Sequence, residues 1–321
     1  MLRRLGLAAC AALLLACLAP RTGAAYPERP IQLMVGFSAG GNIDIAARLT
    51  APFLERYLGA GTVVTVVNRA GAGGMLMLNE VANGPSDGHT VGFMALPALV
   101  TALYDSTPRY TVDSFAYLGL LSDEPYTLFV GVGTPYRSLA EFVAAARARP
   151  GDLTVAGAGI GGTPHLALME FERISGLRFT FVPVQGAAQA LTLVQGGHVI
   201  GAISTVSLTV RQHRENQIRV LGLLDDERWR RTPDIPTFRE QGFALSASSA
   251  RGFVLHRNTP GHIQARLEEA IRRIAADPEF RTLAERDFVI VRYLDARALR
   301  AMVDEQNRFY GELWRRSPWR Q

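Results

Sequence analysis

The sequence predicts an α/β protein of two domains, the first of them assembled from two separate stretches of chain. Three observations predict it. Strand-like and helix-like segments alternate from Ile31 onward, the order found in folds with largely parallel sheets. Two Gly-rich turns, Gly36-Phe37-Ser38-Ala39-Gly40-Gly41-Asn42 and Gly157-Ala158-Gly159-Ile160-Gly161-Gly162-Thr163, each join a strand-like run to an amphipathic helix, one in each half of the chain. Two long helical segments close the chain with no strands of their own to cover, so they fold back onto the first series. The 321 residues suffice for two modest cores, and 48% apolar with 20% charged residues is ordinary for a folded protein.

The elements follow in order. Arg3 and Arg4 precede an apolar run over 5–18 that is short for a membrane span, and Gly23-Ala24-Ala25 offers small residues for cleavage before Tyr26. Residues 1–25 therefore read as an export signal. The alternative is a lipoprotein anchored through Cys17, since Leu14-Leu15-Ala16-Cys17 resembles a lipobox with an unusual leucine in it. Both cysteines, Cys10 and Cys17, fall in this segment, so the mature chain is expected to carry no disulfide and no thiol chemistry.

Ile31–Val35 reads as a buried strand. Ile43, Ala46, Ala47, Leu49, Phe53, Leu54, Tyr57 and Leu58 share one helix face, and Gly59 suits its stop. A strand over 62–67, a short helix over 75–82 and a strand over 90–94 follow, the last running into a loop over 95–98. The second series has a strand over 127–132, a helix capped by Ser138 that runs to Arg147, and a strand over 153–156. Next comes a helix with Thr163 as N-cap, Pro164 first inside and Gly176 after its end. Strands over 178–183, 199–204 and 218–224 follow, with a helix over 187–194. A strand over 253–255 leads back to helices over 263–275 and 296–314. The expected division is 26–125 plus 248–321 for domain 1 and 126–247 for domain 2, with two chain crossings forming a hinge.

Composition excludes several functions. The formal charge is +5, and every cation is arginine because the chain has no lysine, which removes a Walker lysine and a Schiff-base lysine together. The arginines are spread over helices without interleaved stacking aromatics, so nucleic acid is not an expected partner. The six histidines show no metal-ligand spacing. Gly36-Phe37-Ser38-Ala39-Gly40 matches the nucleophile elbow of serine hydrolases, but only one strand precedes Ser38 to supply the rest of an oxyanion hole. Gly157, Gly159 and Gly162 match a dinucleotide fingerprint, yet the next strand ends Val182-Pro183-Val184-Gln185 without the carboxylate a ribose needs, so no cofactor is expected. What remains is binding. Glycines let backbone N–H groups approach a ligand, and each following helix adds free N–H groups and a positive dipole end. Two such ends facing across a cleft would clamp a small carboxylate.

Pro30-Ile31, Val35-Gly36-Phe37-Ser38-Ala39-Gly40-Gly41 with Asp44, Asn68-Arg69-Ala70-Gly71-Ala72-Gly73-Gly74, Pro85 with Asp87-Gly88 and Thr90, Gly162-Thr163-Pro164-His165-Leu166-Ala167, Gln195-Gly196-Gly197-His198-Val199, Pro233-Asp234-Ile235-Pro236-Thr237 and Asp277-Pro278-Glu279 occur in order along the chain. Together they resemble the Bug (Bordetella uptake gene) family, the extracytoplasmic receptors of tripartite tricarboxylate transporters. The resemblance implies a two-domain Venus-flytrap fold of the periplasmic binding protein type, type II-like, with a discontinuous first domain.

Its implied ligand set is Ser38, Ala39, Gly40, Gly41 and Asp44 on the first lip; Ala95, Leu96 and Pro97 after the third strand; and Gly159, Gly161, Gly162, Thr163 and His165 on the second lip. Val184, Gln185 and Gly186 stand in place of the family's usual Tyr-Lys-Gly, and Ser204 and Thr205 where many members have Asp-Asn. Those departures favour a plain mono- or dicarboxylate over an amino acid. Arg251, in a stretch that is usually aromatic, either pairs a second carboxylate bidentately or faces solvent. Asp44 also reads as a loop brace, His165 either orients its loop or touches ligand, and Asn68, Arg69 and the glycines at 71–74 read as braces. The expected protein is a monomeric periplasmic receptor without metal or catalysis, handing its ligand to membrane transporter subunits or signalling to a sensor domain. The rival is a secreted hydrolase using Ser38.

Overall fold

The computed structural model describes residues 26–316, 318 and 319. The export-signal reading of residues 1–25, with Cys10 and Cys17, lies outside the described residues.

Parallel strands joined by helices open the chain. β1 (Ile31–Val35) pairs in parallel with β2 (Val64–Asn68) and β3 (Thr90–Leu96), connected through α1 (Asn42–Leu58) and α2 (Met75–Asn83). Four of the five β1 residues are buried, as expected of a strand covered on both faces. The loop expected at 95–98 is instead the end of β3 followed directly by α3 (Ala98–Asp105), a helix that the periodicity reading did not foresee.

The central element is β4 (Phe115–Gly131), 17 residues long and buried along almost its whole length. Only 127–132 was expected as strand. Through Pro125 it pairs antiparallel with β9 (Ser248–His256); from Tyr126 onward it pairs with β7 (Gly201–Thr205) and β8 (Ile218–Leu224). One strand thus belongs to two sheets. The second sheet continues from β7 to β5 (Thr154–Ala158) and β6 (Thr180–Val184), both in parallel. Its helices are α4 (Leu139–Ala148), α5 (Thr163–Ser175), α6 (Ala187–Gln195) and α7 (Val206–Arg214). Ser138 caps α4 as expected, its Oγ accepting the Glu141 N–H at 3.2 Å. The cap of α5 is Gly162, one residue before the expected Thr163, which is itself the first helical residue.

Beyond β9 the chain forms α8 (Gly261–Ala276), α9 (Pro278–Arg286), β10 (Val291–Asp295) and α10 (Ala296–Arg316). β10 pairs with β4, α8 packs on α1 and β4, and α10 packs on α3 and β4. The terminal helices therefore cover the first sheet as expected, but they bring a strand of their own, β10, which the sequence reading did not foresee. Each sheet has apolar side chains packed on both faces. Phe53, Ile271 and Phe280 belong to one cluster on the first sheet and Met94, Leu120 and Leu299 to the other; Phe142, Phe171 and Phe238 lie on one side of the second sheet and Phe129, Val194 and Leu223 on the other.

Candidate functional site

A parallel strand followed by a helix leaves its connecting loop at the strand's C-terminal edge, where the helix start is also exposed. Here the loops of both sheets meet. Phe37, Asn42, Ile43, Ala95, Leu96 and Ala98 from the first sheet, with Tyr126, Ala158, Gly162, Thr163, Pro164, Ala187, Ile203 and Ser204 from the second, line one inner pocket. An outer pocket beside it is lined by Ala72, Gly73, Thr101, Asp105 and Ser106 on one side and Gly159, Ile160, Val184 and Gln185 on the other.

Four helices begin at the inner pocket: α1, α3, α5 and α6; α7 begins two residues beyond Ser204. Their cap residues are Gly41, Pro97, Gly162, Gly186 and Thr205, and none gives a side-chain cap hydrogen bond. The first N–H groups of a helix have no partner within it. Several positive helix ends are thus aimed at one small volume, the arrangement that suits an anion. The sequence pointed to the starts at Gly41 and Gly162 and, through the helix expected over 187–194, to the one at Ala187; only the start at Ala98 came with the fold.

The two sheets' loops touch. Asn42 Nδ2 donates to Thr205 Oγ1 at 2.7 Å. A Cβ built on Gly186 would overlap Ser38 Oγ, and one on Gly159 would lie 3.0 Å from Gly73 Cα. The cleft is therefore closed in this structure.

Of the expected site residues, Ala95, Leu96, Gly162, Thr163 and Ser204 line the inner pocket, and Gly159, Gly162 and Gln185 the outer one. Ser38, Gly41 and Gly186 form the contact between the lips. Ala39 and Gly40 sit exposed on the first loop. The others have structural tasks. Asp44 is buried and braces the first loop: its carboxylate accepts from Gly40 N–H at 2.9 Å, Arg48 Nε at 2.9 Å and Asn68 Nδ2 at 3.0 Å. Burial pushes its pKa up, but these hydrogen bonds outweigh that and hold the carboxyl below its ordinary value. Gly161 packs on Asp105 and Trp319, at a positive φ of 71°. Thr205 Oγ1 accepts from Asn42 and Arg251.

Arg251 requires the largest correction. It neither faces solvent nor offers a free guanidinium. It is fully buried and forms a bidentate pair with the equally buried Glu124, Nη1 to Oε1 and Nη2 to Oε2, the second at 3.1 Å. Ser207 Oγ donates to the same carboxylate at 2.5 Å. The pair bridges β9 and β4 just before β4 changes sheets.

His165 orients its loop. Its Nδ1 accepts the Gly161 N–H at 3.1 Å while the ring stacks on Phe181. Burial lowers its affinity for a proton, which keeps Nδ1 an acceptor. The depressed value means that this contribution to stability is complete above the ordinary imidazole value near 6.5 and is lost as pH falls through the lowered one. Melting temperature is therefore expected to drop more steeply between about pH 7 and about pH 5 in the parent protein than in His165→Asn, whose amide does not titrate; parallel profiles would remove the role.

Sequence reasoning missed Asn42, Tyr126, Thr101 and Ile203, and took Gly73 as a brace although it lines the outer pocket, as does Ala72. Among the described residues no group of three or more metal-ligating side chains comes together. None of their helices is long and apolar enough to cross a membrane.

Residues 46–316 match the model of the tripartite tricarboxylate transporter family receptor. BugT of Bordetella pertussis is 31% identical over 228 residues, covering 70% of this chain and 69% of its own. The structure of the periplasmic binding protein BugD is 27% identical with a TM-score of 0.85, covering 91% of this chain and 98% of its own. MatC from Rhodopseudomonas palustris, with bound malate, is 27% identical with a TM-score of 0.83, covering 89% of this chain and 99% of its own. These relatives are receptors, not enzymes, and Ser38 Oγ hydrogen-bonds no base. The hydrolase alternative is set aside on both grounds.

Proposed function

We infer that this chain, which belongs to the tripartite tricarboxylate transporter receptor family, captures a small organic carboxylate, mono- or dicarboxylate, in the cleft between its lobes. The observation that carries this reading is the convergence of uncapped helix starts from both sheets on one pocket. The malate bound to MatC supports the ligand class.

In this reading the lobes are residues 26–125 plus 248–321 and residues 126–247, hinged where β4 and β9 cross. Ser38, Gly41, Ala95, Leu96, Gly159, Gly162, Thr163, Gln185, Gly186 and Ser204 surround the ligand, with Ala39 and Gly40 offering loop amides. Only the closed form engages both lips, so ligand shifts the open–closed equilibrium by its differential affinity for that form. The protein works in the periplasm as a monomer, and the closed form is what the membrane subunits of its transporter recognise.

A thermal-shift screen of the purified protein against organic acids, with sugars and amines as controls, tests the reading. Stabilisation is expected from acids alone. It is expected to vanish in Gly162→Val, because a Cβ there overlaps the Ala158 carbonyl and displaces the second lip. Stabilisation by a sugar and by no acid would overturn it.

A further inference from the structure

α9 ends in a way that its own sequence does not favour. The Val289 N–H donates to the Ala284 carbonyl at 2.8 Å and the Phe288 N–H to the Glu285 carbonyl at 3.2 Å. These two hydrogen bonds close a helix when the residue after its cap turns left-handed, and that residue is most often glycine, because a side chain there strains the backbone. Here it is Phe288, at φ 59°. A bulky residue persists in this conformation only where its surroundings hold it there.

What holds it belongs to the other sheet. Phe288 is 5% exposed and lies in the apolar cluster of Phe129, Val210, Val220 and Leu223. The Trp229 ring meets it edge-on, with 5.9 Å between ring centres. The Arg214 and Arg231 guanidiniums stand 5.1 and 5.4 Å from its ring centre, within cation–π range. Beside the ring, Asp287 pairs with Arg211, and Glu285 with Arg230 and Arg231, each at 3.1 Å. Arg211 and Arg230 are largely exposed, so their ion pairs add little and the buried ring dominates the contact. None of these residues lines the inner or the outer pocket.

α7 connects this contact to the cleft. It is nine residues long, about 13 Å. At its start Thr205 Oγ1 accepts from Asn42, and Ser207 Oγ donates to Glu124, which sits where β4 and β9 cross. At its end Arg211 and Arg214 meet Asp287 and Phe288. Groups from the first sheet's side thus grip this rigid rod at both ends.

Resting on the reading of two lobes that close on each other, we propose that Phe288 is a latch on the closed form, docked against Trp229, Arg214 and Arg231 when the lips meet and withdrawn when they part. Rotation of the second lobe about the β4–β9 crossing leaves the near end of α7 in place and carries its far end off the ring. Opening then exposes the ring and the apolar wall that it fills, which costs free energy at a place no ligand touches. Phe288 thereby sets how much of the ligand-free protein is already closed, and with it the apparent affinity.

The chain from residue 26 onward contains no cysteine, so two introduced thiols report closure directly. Ile160 and Leu76 are exposed on opposite sides of the cleft and flank one glycine turn: the Ile160 carbonyl lies 3.9 Å from where a Gly73 Cβ would stand, and Leu76 covers Gly71. In ligand-free protein carrying Ile160→Cys and Leu76→Cys, the rate of bridging by a short bis-maleimide follows the closed fraction. Phe288→Gly removes the ring and suits the helix end better, and is expected to slow bridging at least about tenfold. Trp229→Ala reaches the same contact from the second lobe. It is expected to slow bridging at least about threefold alone and to add nothing once Phe288 is glycine. A wild-type or faster rate in either variant, or independence of the two, overturns the latch and leaves lobe closure standing. Urea unfolding establishes that each variant is folded; if Phe288→Gly is not, the rate in Trp229→Ala decides. Failure of the parent cysteine pair to bridge at all overturns lobe closure itself, and the latch with it.

Discussion

Arg251→Met is expected to lower the unfolding free energy by about 3–5 kcal/mol, the usual consequence of leaving one member of a buried ion pair alone. Arg251 and Glu124 are both fully buried, and the guanidinium supplies two of the hydrogen bonds on that carboxylate. Methionine fills much of the volume but leaves Glu124 with only the Ser207 hydroxyl as a side-chain donor. The double variant Arg251→Met with Glu124→Leu removes both charges and is expected to recover most of the loss, because an apolar pair of similar size avoids the desolvation that the ion pair must offset. Urea unfolding of the two variants at neutral pH measures this. A loss below about 1 kcal/mol in the single variant would mean that the pair is reached by solvent.

Gly186→Ala is expected to weaken ligand binding by about tenfold to a hundredfold while leaving the unfolding free energy within about 0.5 kcal/mol. Gly186 has φ 175°, extended backbone open to any residue, so an added methyl introduces no local strain. The three atoms nearest to that methyl all belong to Ser38 of the facing lip, with Ser38 N at 3.1 Å and Ser38 Cβ at 3.3 Å. The substitution therefore acts on the closed form and not on the lobe that carries it. Affinity falls because a smaller fraction of the protein reaches the competent state. Ser38→Gly in the same chain removes the opposing side chain and is expected to restore part of the affinity. Titration calorimetry gives both numbers, and independence of the two substitutions would place the loss elsewhere.

Much of the fold could be read directly. The α1 periodicity ran through Leu58, and Gly59 follows that residue in the structure. Largely apolar runs such as Ile31–Val35, in which Gln32 is the one polar and exposed residue, became parallel strands buried along most of their length. The elements that escaped notice lack such signals. β4 is apolar but crosses two environments, so no single alternation of faces runs along it. α3 is eight residues long, too short for its period to stand out from the strand before it. Glu124 did carry a sign. A carboxylate in the apolar run from Phe115 to Gly131 and a guanidinium in the run from Ser248 to His256 each demand a partner, and each is the other's. Reading the two runs singly hid that pairing.

The sequence by itself determined the α/β order, the glycine turns at Gly36–Gly41 and Gly157–Gly162, and the absence of lysine, all of which are properties of neighbouring residues. The tertiary structure alone decided that helices beginning at Ala98 and Ala187 aim at the same pocket, that Ser38 meets Gly186, and that Arg251 is paired with Glu124 and does not line the pocket. These are meetings between groups distant along the chain. A side chain's charge is fixed by its chemistry, but whether that charge is available depends on which other charge the fold sets against it.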